Sequence, residues 1–174
     1  MSLISSHEPD WDRERLQSGE WNPGKRLLAC IRDYQRLPDA AAPLRGFLKA
    51  MIVLRHRFWS AVTGADIPLT SQLGGGLLLP HPNGIVIHPE ASVGPNCLIF
   101  QQVTLGTLAK GGAPKIGGHV DIGAGAKVLG AVSIGDHAVV GANAVVLRDV
   151  PSGAVATGIP AKCKTQAGVG NDHG

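Results

Sequence analysis

Counted in steps of six from Leu69, the chain reads Leu69, Gly75, His81, Ile87, Val93, Ile99 and Leu105. Residues 111–115 interrupt the count, which resumes at Ile116 and continues through Ile122, Val128, Ile134, Val140 and Val146. Four residues after each stands a second small or apolar residue: Leu73, Leu79, Ile85, Ala91, Cys97, Val103 and Ala109, then Val120, Ala126, Val132, Ala138, Ala144 and Val150. A period of six fits neither a helix at 3.6 nor a strand at 2. It is the signature of a hexapeptide β-helix, in which each hexad forms one side of a three-sided coil. Each residue then stacks on the one three hexads later at the sheet spacing of about 4.8 Å, with the leading aliphatic and its partner inside. The sequence therefore predicts an all-β solenoid, a parallel β-helix of hexapeptide repeats, preceded by a short N-terminal α-helical region.

Composition agrees. Of 174 residues 24 are Gly and only 4% are aromatic, which suits narrow coils better than a core built on large rings. A net charge of +3 gives little support to nucleic-acid binding. The three Cys form no paired motif and are expected as reduced thiols of a cytoplasmic protein. The polar, acidic opening carries no signal peptide.

Three regions are expected: helical over 1–64, solenoid over 65–163, and a disordered tail over 164–174. A short helix is predicted over 24–37, and a longer one over 44–62 with Leu44, Phe47, Leu48, Met51, Ile52, Phe58, Trp59 and Val62 on its apolar face. Pro38 and Pro43 bracket the turn between them. The longer helix is basic and amphipathic, which suits a membrane surface, but its apolar face is expected against the first coil or a neighbouring subunit. Its charges argue against a transmembrane span. The interruption before Ile116 is expected as a loop extruded from the coil, where solenoids carry function.

His81 falls where the hexad count demands an interior aliphatic, and a broken local rule marks a functional candidate. A structural His at a subunit contact is the plainer reading. Asp66 precedes it by half a hexad less than a full coil. A carboxylate beside an imidazole fixes its tautomer and raises the basicity of the other nitrogen. Such a pair deprotonates a hydroxyl without supplying a covalent nucleophile, which points to direct attack by an alcohol on an activated acyl donor. Asp66 as a solvated cap on the helix-to-coil turn is the alternative.

The runs Ala65-Asp66-Ile67-Pro68, Leu79-Pro80-His81-Pro82-Asn83-Gly84-Ile85-Val86-Ile87 and Gln102-Val103-Thr104-Leu105-Gly106 resemble the serine O-acetyltransferase family. So do Pro114-Lys115-Ile116-Gly117, Ile122-Gly123-Ala124-Gly125-Ala126-Lys127 and Gly158-Ile159-Pro160-Ala161-Lys162. The resemblance spans about residues 65–163, and its ordered motifs are specific. It implies a left-handed winding, a homotrimer with its site between subunits, acetyl-CoA as co-substrate, and no metal. It places the catalytic base on His81 and its support on Asp66, and runs the CoA arm past Gly106, Ala124 and Ala142, with Lys162 near the nucleotide phosphates. Backbone N–H groups near residues 104–106 are expected to steady the oxyanion. Asp33, after Arg32, resembles an acidic substrate contact.

Departures from the family pattern cluster on the acceptor side. Pro80 stands where an Asp precedes the catalytic His, Pro89 where a Glu is usual, and the extruded loop reads Gly111-Gly112-Ala113 without the family's Arg-His pair. The terminal Ile that docks into cysteine synthase is not seen. The expected activity is O-acetylation of a small hydroxyl compound, serine or a sugar. Two other classes remain at this point. His119 and His137, three hexads apart, would stack on adjacent coils as in a γ-carbonic-anhydrase-type metal enzyme, although a third ligand is missing. A non-catalytic solenoid is the other.

Overall fold

The computed structural model describes residues 4–37 and 41–165; the predicted turn at Pro38 and the tail beyond 165 lie outside the described residues. The hexads become short strands because the chain turns a corner every six residues. In order they are β1 (Gln72–Leu73), β2 (Val86–Ile87), β3 (Ser92–Val93), β4 (Leu98–Ile99), β5 (Thr104–Gly106), β6 (Lys115–Ile116) and β7 (Asp121–Ile122). There follow β8 (Lys127–Leu129), β9 (Ser133–Ile134), β10 (Val139–Val140), β11 (Val145–Val146), β12 (Ala154–Gly158) and β13 (Ala161–Thr165).

The chain visits three parallel sheets in rotation. The first sheet is β1-β3-β6-β9, the second β2-β5-β8-β11, and the third β4-β7-β10-β12, which β13 extends as an antiparallel hairpin. Ser133 lies on Lys115, Val139 on Asp121 and Val145 on Lys127, each a shift of three hexads. One coil earlier the shift is five longer, with Lys115 on Ser92 and Lys127 on Thr104. The five extra residues are the interruption before Ile116, extruded as expected. Hydrophobic burial fixes this register: Ile87, Val93, Ile99, Leu105, Ile116, Ile122, Val128, Ile134, Val140 and Val146 are all at most 5% exposed. The coil ends in β12, whose Val155 still stacks on Val139, and β13 carries ordered chain to Thr165, two residues into the expected tail.

The first coil departs from the counted register. Asp66 pairs with Val86, Gln72 with Ser92 and Leu78 with Leu98, a shift two longer than three hexads. Ile67, Leu73 and Leu79 therefore hold the interior places that the count gave to Leu69, Gly75 and His81. The two extra residues bulge at the 80–84 corner, and His81 is exposed rather than interior. The count missed this because Leu73 and Leu79 fit equally well as leading residue or as partner.

The first helix, α1 (Pro23–Gln35), starts one residue before its predicted span; Asn22 caps it by accepting from the Lys25 N–H at 3.0 Å, and Pro23 fills its first turn. Leu27, Leu28 and Ile31 bury its inner face in the core that the first coil shares. Gly24 sits against the Leu79 carbonyl, where an added Cβ would lie 2.5 Å from the oxygen. At the other end the buried Arg32 donates to the Leu73 and Gly74 carbonyls at 2.6 and 2.7 Å and to both carboxylate oxygens of Glu14 at 3.0 and 2.8 Å. The second helix, α2 (Ala42–Thr63), ends on Gly64 in the left-handed conformation, φ 66°, and buries only Ile52 and Thr63. Among the described residues no helix is long and apolar enough to cross a membrane.

The N-terminal arm, through its 3-10 turn Trp11–Glu14, straps the corner between the first and third sheets. Asn96, fully buried, holds it: its amide donates to the carbonyls of Ser5 and Glu8 at 2.7 Å each and accepts from the Asp10 N–H at 2.8 Å.

Candidate active site

Every coil must bend at the corner between the third and second sheets, and it does so with one residue in left-handed backbone: Gly84, Gln102, Gly125 and Asn143 in turn. Successive corners are bonded into a column. The Gln102 N–H donates to the Asn83 carbonyl, Gly125 to Gln101 and Asn143 to Ala124, each at 2.8 Å. His81 stands at the top of this column on the two-residue bulge, and Ala124 and Ala142 lie lower on the same edge. Three coil spacings of about 4.8 Å separate the His81 corner from that of Ala142, or ~14 Å. The small side chains leave the edge low; Ala142 is exposed and Ala124 half-buried.

The bulge is fastened to the end of α2, where the Gly84 N–H donates to the Gly64 carbonyl at 3.0 Å. Two residues on, the backbone of Asp66 accepts from the Ile87 N–H at 2.9 Å and donates to the Ile85 carbonyl at 2.8 Å. Asp66 and His81 thus share one corner, both exposed, and no hydrogen bond joins their side chains among the described residues. Both side chains face solvent with their polar atoms uncommitted, so each is open to a ligand at this corner.

The other expected positions divide. Lys162 pairs in register with Thr157. The Thr157 methyl lies over Gly141, the residue before Ala142, so the hairpin that carries Lys162 borders the lower end of the column. Gly106 lies across the second sheet, paired with Leu129 at the opposite edge from Ala124. The Thr104 N–H, expected to serve an oxyanion, instead donates to the Ala126 carbonyl at 3.0 Å. Asp33 is ion-paired with Arg55 at 2.9 Å and stands about 14 Å along α1 from Gly24, away from the His81 corner of its own chain.

His119 and His137 stack at the corner between the first and third sheets, with Nδ1 to Nδ1 at 2.9 Å and both residues in left-handed backbone. They border a cavity of about 700 Å³ with Asp121, Val139 and the arm residues Ser5 and Ser6. No group of three ligating side chains that could hold a metal forms among the described residues. Counting hexads missed two features of the site: the bulge that turns His81 outward, and the αL column beneath it. The Pro80-His81-Pro82-Asn83-Gly84 run was the available signal for both.

Comparisons with known proteins bear on this edge. A family model described as bacterial transferase hexapeptide (six repeats) matches residues 113–148. A serine acetyltransferase of Synechococcus elongatus is 44% identical over 150 residues, covering 84% of this chain and 59% of the relative. One of Helicobacter pylori strain J99 is 43% identical over 148 residues, covering 83% of this chain and 82% of the relative. A solved serine acetyltransferase in complex with CoA superposes with a TM-score of 0.69 at 31% identity, covering 83% of this chain and 58% of that one. The chain thus spans about three fifths of the cyanobacterial relative and most of the Helicobacter one.

Proposed function

The chain belongs to the serine acetyltransferase family, and from that premise we propose that it transfers acetyl from acetyl-CoA to the hydroxyl of serine, using His81 as general base. The open imidazole at the head of a column of small residues is the observation that carries this reading. The solved relative in complex with CoA supports the donor, and the name its relatives carry supports the acceptor.

In the proposed step His81 takes the proton from the acceptor hydroxyl as its oxygen attacks the thioester carbonyl. The C–S bond then breaks, and the CoA sulfur leaves and regains a proton. Asp66 orients the imidazole once substrate draws the two together. Ala124 and Ala142 let the pantetheine amides approach the corner backbone, Lys162 attends the nucleotide phosphates, and Gly106 borders the opposite edge of the groove. The coils wind left-handed, and three copies assemble so that the groove becomes a cleft that excludes water. Asp33 contacts the acceptor held at a neighbouring copy's corner. Pro80, Pro89 and the short 111–113 loop replace charged groups on the acceptor side, so acceptor affinity is expected to be modest.

The test is an acceptor screen with acetyl-CoA and a free-thiol readout, run with and without chelator. Serine-dependent CoA release, unchanged by chelator, is expected. Release only with sugars would overturn the acceptor, and failure to bind acetyl-CoA at millimolar concentration would overturn the transferase.

A further inference from the structure

Two adjacent coils bring an imidazole to the same corner. His119 and His137 stand in the column Asn96, His119, His137, Gly153, in which each residue turns from the first sheet to the third in left-handed backbone. The column fixes them in place. The His119 N–H donates to the Pro95 carbonyl at 2.7 Å and the His137 N–H to the Gly118 carbonyl at 3.0 Å, so the separation of the rings follows from the coil spacing. Their Nδ1 atoms lie 2.9 Å apart, with the ring planes at 66°. Asp121 lines the adjoining cavity, and no hydrogen bond or ion pair engages its carboxylate among the described residues. Ser6 borders the same cavity from the N-terminal arm, its carbonyl packed on Gly118, the residue before His119.

We propose that His119 and His137 together bind a divalent transition ion of the Ni(II) or Cu(II) kind through their Nδ1 atoms. Two metal–nitrogen bonds of about 2.0–2.1 Å at a right angle place the nitrogens about 2.9 Å apart, whereas a tetrahedral ion spreads them to about 3.4 Å. The observed spacing matches the cis edge of a square-planar or octahedral site, which these ions adopt on nitrogen and oxygen ligands. Without an ion, the same contact needs one ring to donate its Nδ1–H to the other. Binding moves that proton to the Nε2 of its own ring, so the imidazoles stay neutral and no proton is lost. No third ligating side chain converges on the pair among the described residues, so water fills the remaining places. The Asp121 carboxylate supplies counter-charge through one of those waters. The ion staples two coils beside the arm. Its corner is not the one that carries His81, and the site is independent of the acetyl-transfer reading.

Titration of the untagged full chain with Cu(II) tests this, read by electron paramagnetic resonance and by the melting temperature. His119→Asn and His137→Asn are the variants of choice, because Asn already turns the same corner at Asn96; circular dichroism checks their fold. Wild type is expected to bind one ion per chain with the nitrogen signature of two imidazoles. It is also expected to melt higher when loaded, since an ion that binds only the folded state stabilises it. Each variant is expected to bind at least about tenfold more weakly, the loss that even an outer partner of a metal site produces. A wild-type chain that takes up no Cu(II) at submillimolar concentration would overturn the site and leave the pair a hydrogen bond between coils. Binding that survives both substitutions would place the ion elsewhere and overturn it equally.

Discussion

His81 and Cys97 show how two residues of the same repeat come to opposite chemical states. His81 sits on a bulge, open to solvent, with its ring nitrogens available. His81→Ala is expected to lower turnover by about 10²- to 10⁴-fold while acetyl-CoA affinity stays within a few-fold, read by steady-state kinetics and calorimetry. Cys97 occupies an interior place and is fully buried. Burial pushes its thiol up to about 11, the backbone N–H of Val120 opposing weakly. The folded thiol therefore keeps its proton where the unfolded thiol, near 9, has lost it. Stability is accordingly expected to fall between pH 9 and 11, by roughly 1.4 kcal/mol per unit from this group, and to be unaffected by it below pH 9. Urea midpoints across that range, compared with Cys97→Ala, isolate the contribution. Of the three cysteines, only Cys163 is exposed and is expected to react promptly with a thiol reagent.

The N-terminal arm, α1 and the coil corners are held by a few polar and steric contacts. Asn96 supports the arm with three side-chain hydrogen bonds and sits at φ 61°, a conformation it tolerates better than most residues. Asn96→Ala is expected to destabilise by about 3 kcal/mol, through lost bonds, two orphaned carbonyls and backbone strain together. Asn96→Gly relieves the strain alone, so the difference between their urea midpoints separates the two causes. Gly94 is needed for a different reason: a Cβ there would lie 2.5 Å from the carbonyl carbon and oxygen of Gly117 in the next coil. Gly94→Ala should cost about 1–3 kcal/mol by forcing adjacent coils apart, read as a fall in Tm. Arg32, adjacent in sequence to the proposed substrate contact, ties α1 and Glu14 to two carbonyls of the first coil. Its role is to join the helical region to the solenoid.

At the scale of the whole molecule, one apolar core runs from α1 through the last coil, and two surfaces lie outside it: the corner column and the exposed apolar face of α2. The proposed cleft needs copies assembled through the coils; sedimentation at a multiple of three chains is the expected result, and a lone chain at micromolar concentration would remove the cleft. The hexad count by itself determined the coil, its three sheets and the interior places from Ile87 to Val146 save Ala109, which is exposed beside the extruded loop, because burial repeats locally every six residues and admits one phase once a corner residue interrupts it. It singled out His81 as the break in the pattern but put it on the wrong side of the wall. Leading and partner places both accept aliphatics, so a two-residue phase shift in the first coil shows only as the Gly75 and His81 exceptions, which the count alone does not explain. Only tertiary structure decided that shift, the strap through Asn96, and the outward turn of α2's apolar face. Each depends on which surface a segment meets in a distant part of the chain, and no periodicity within the segment encodes that.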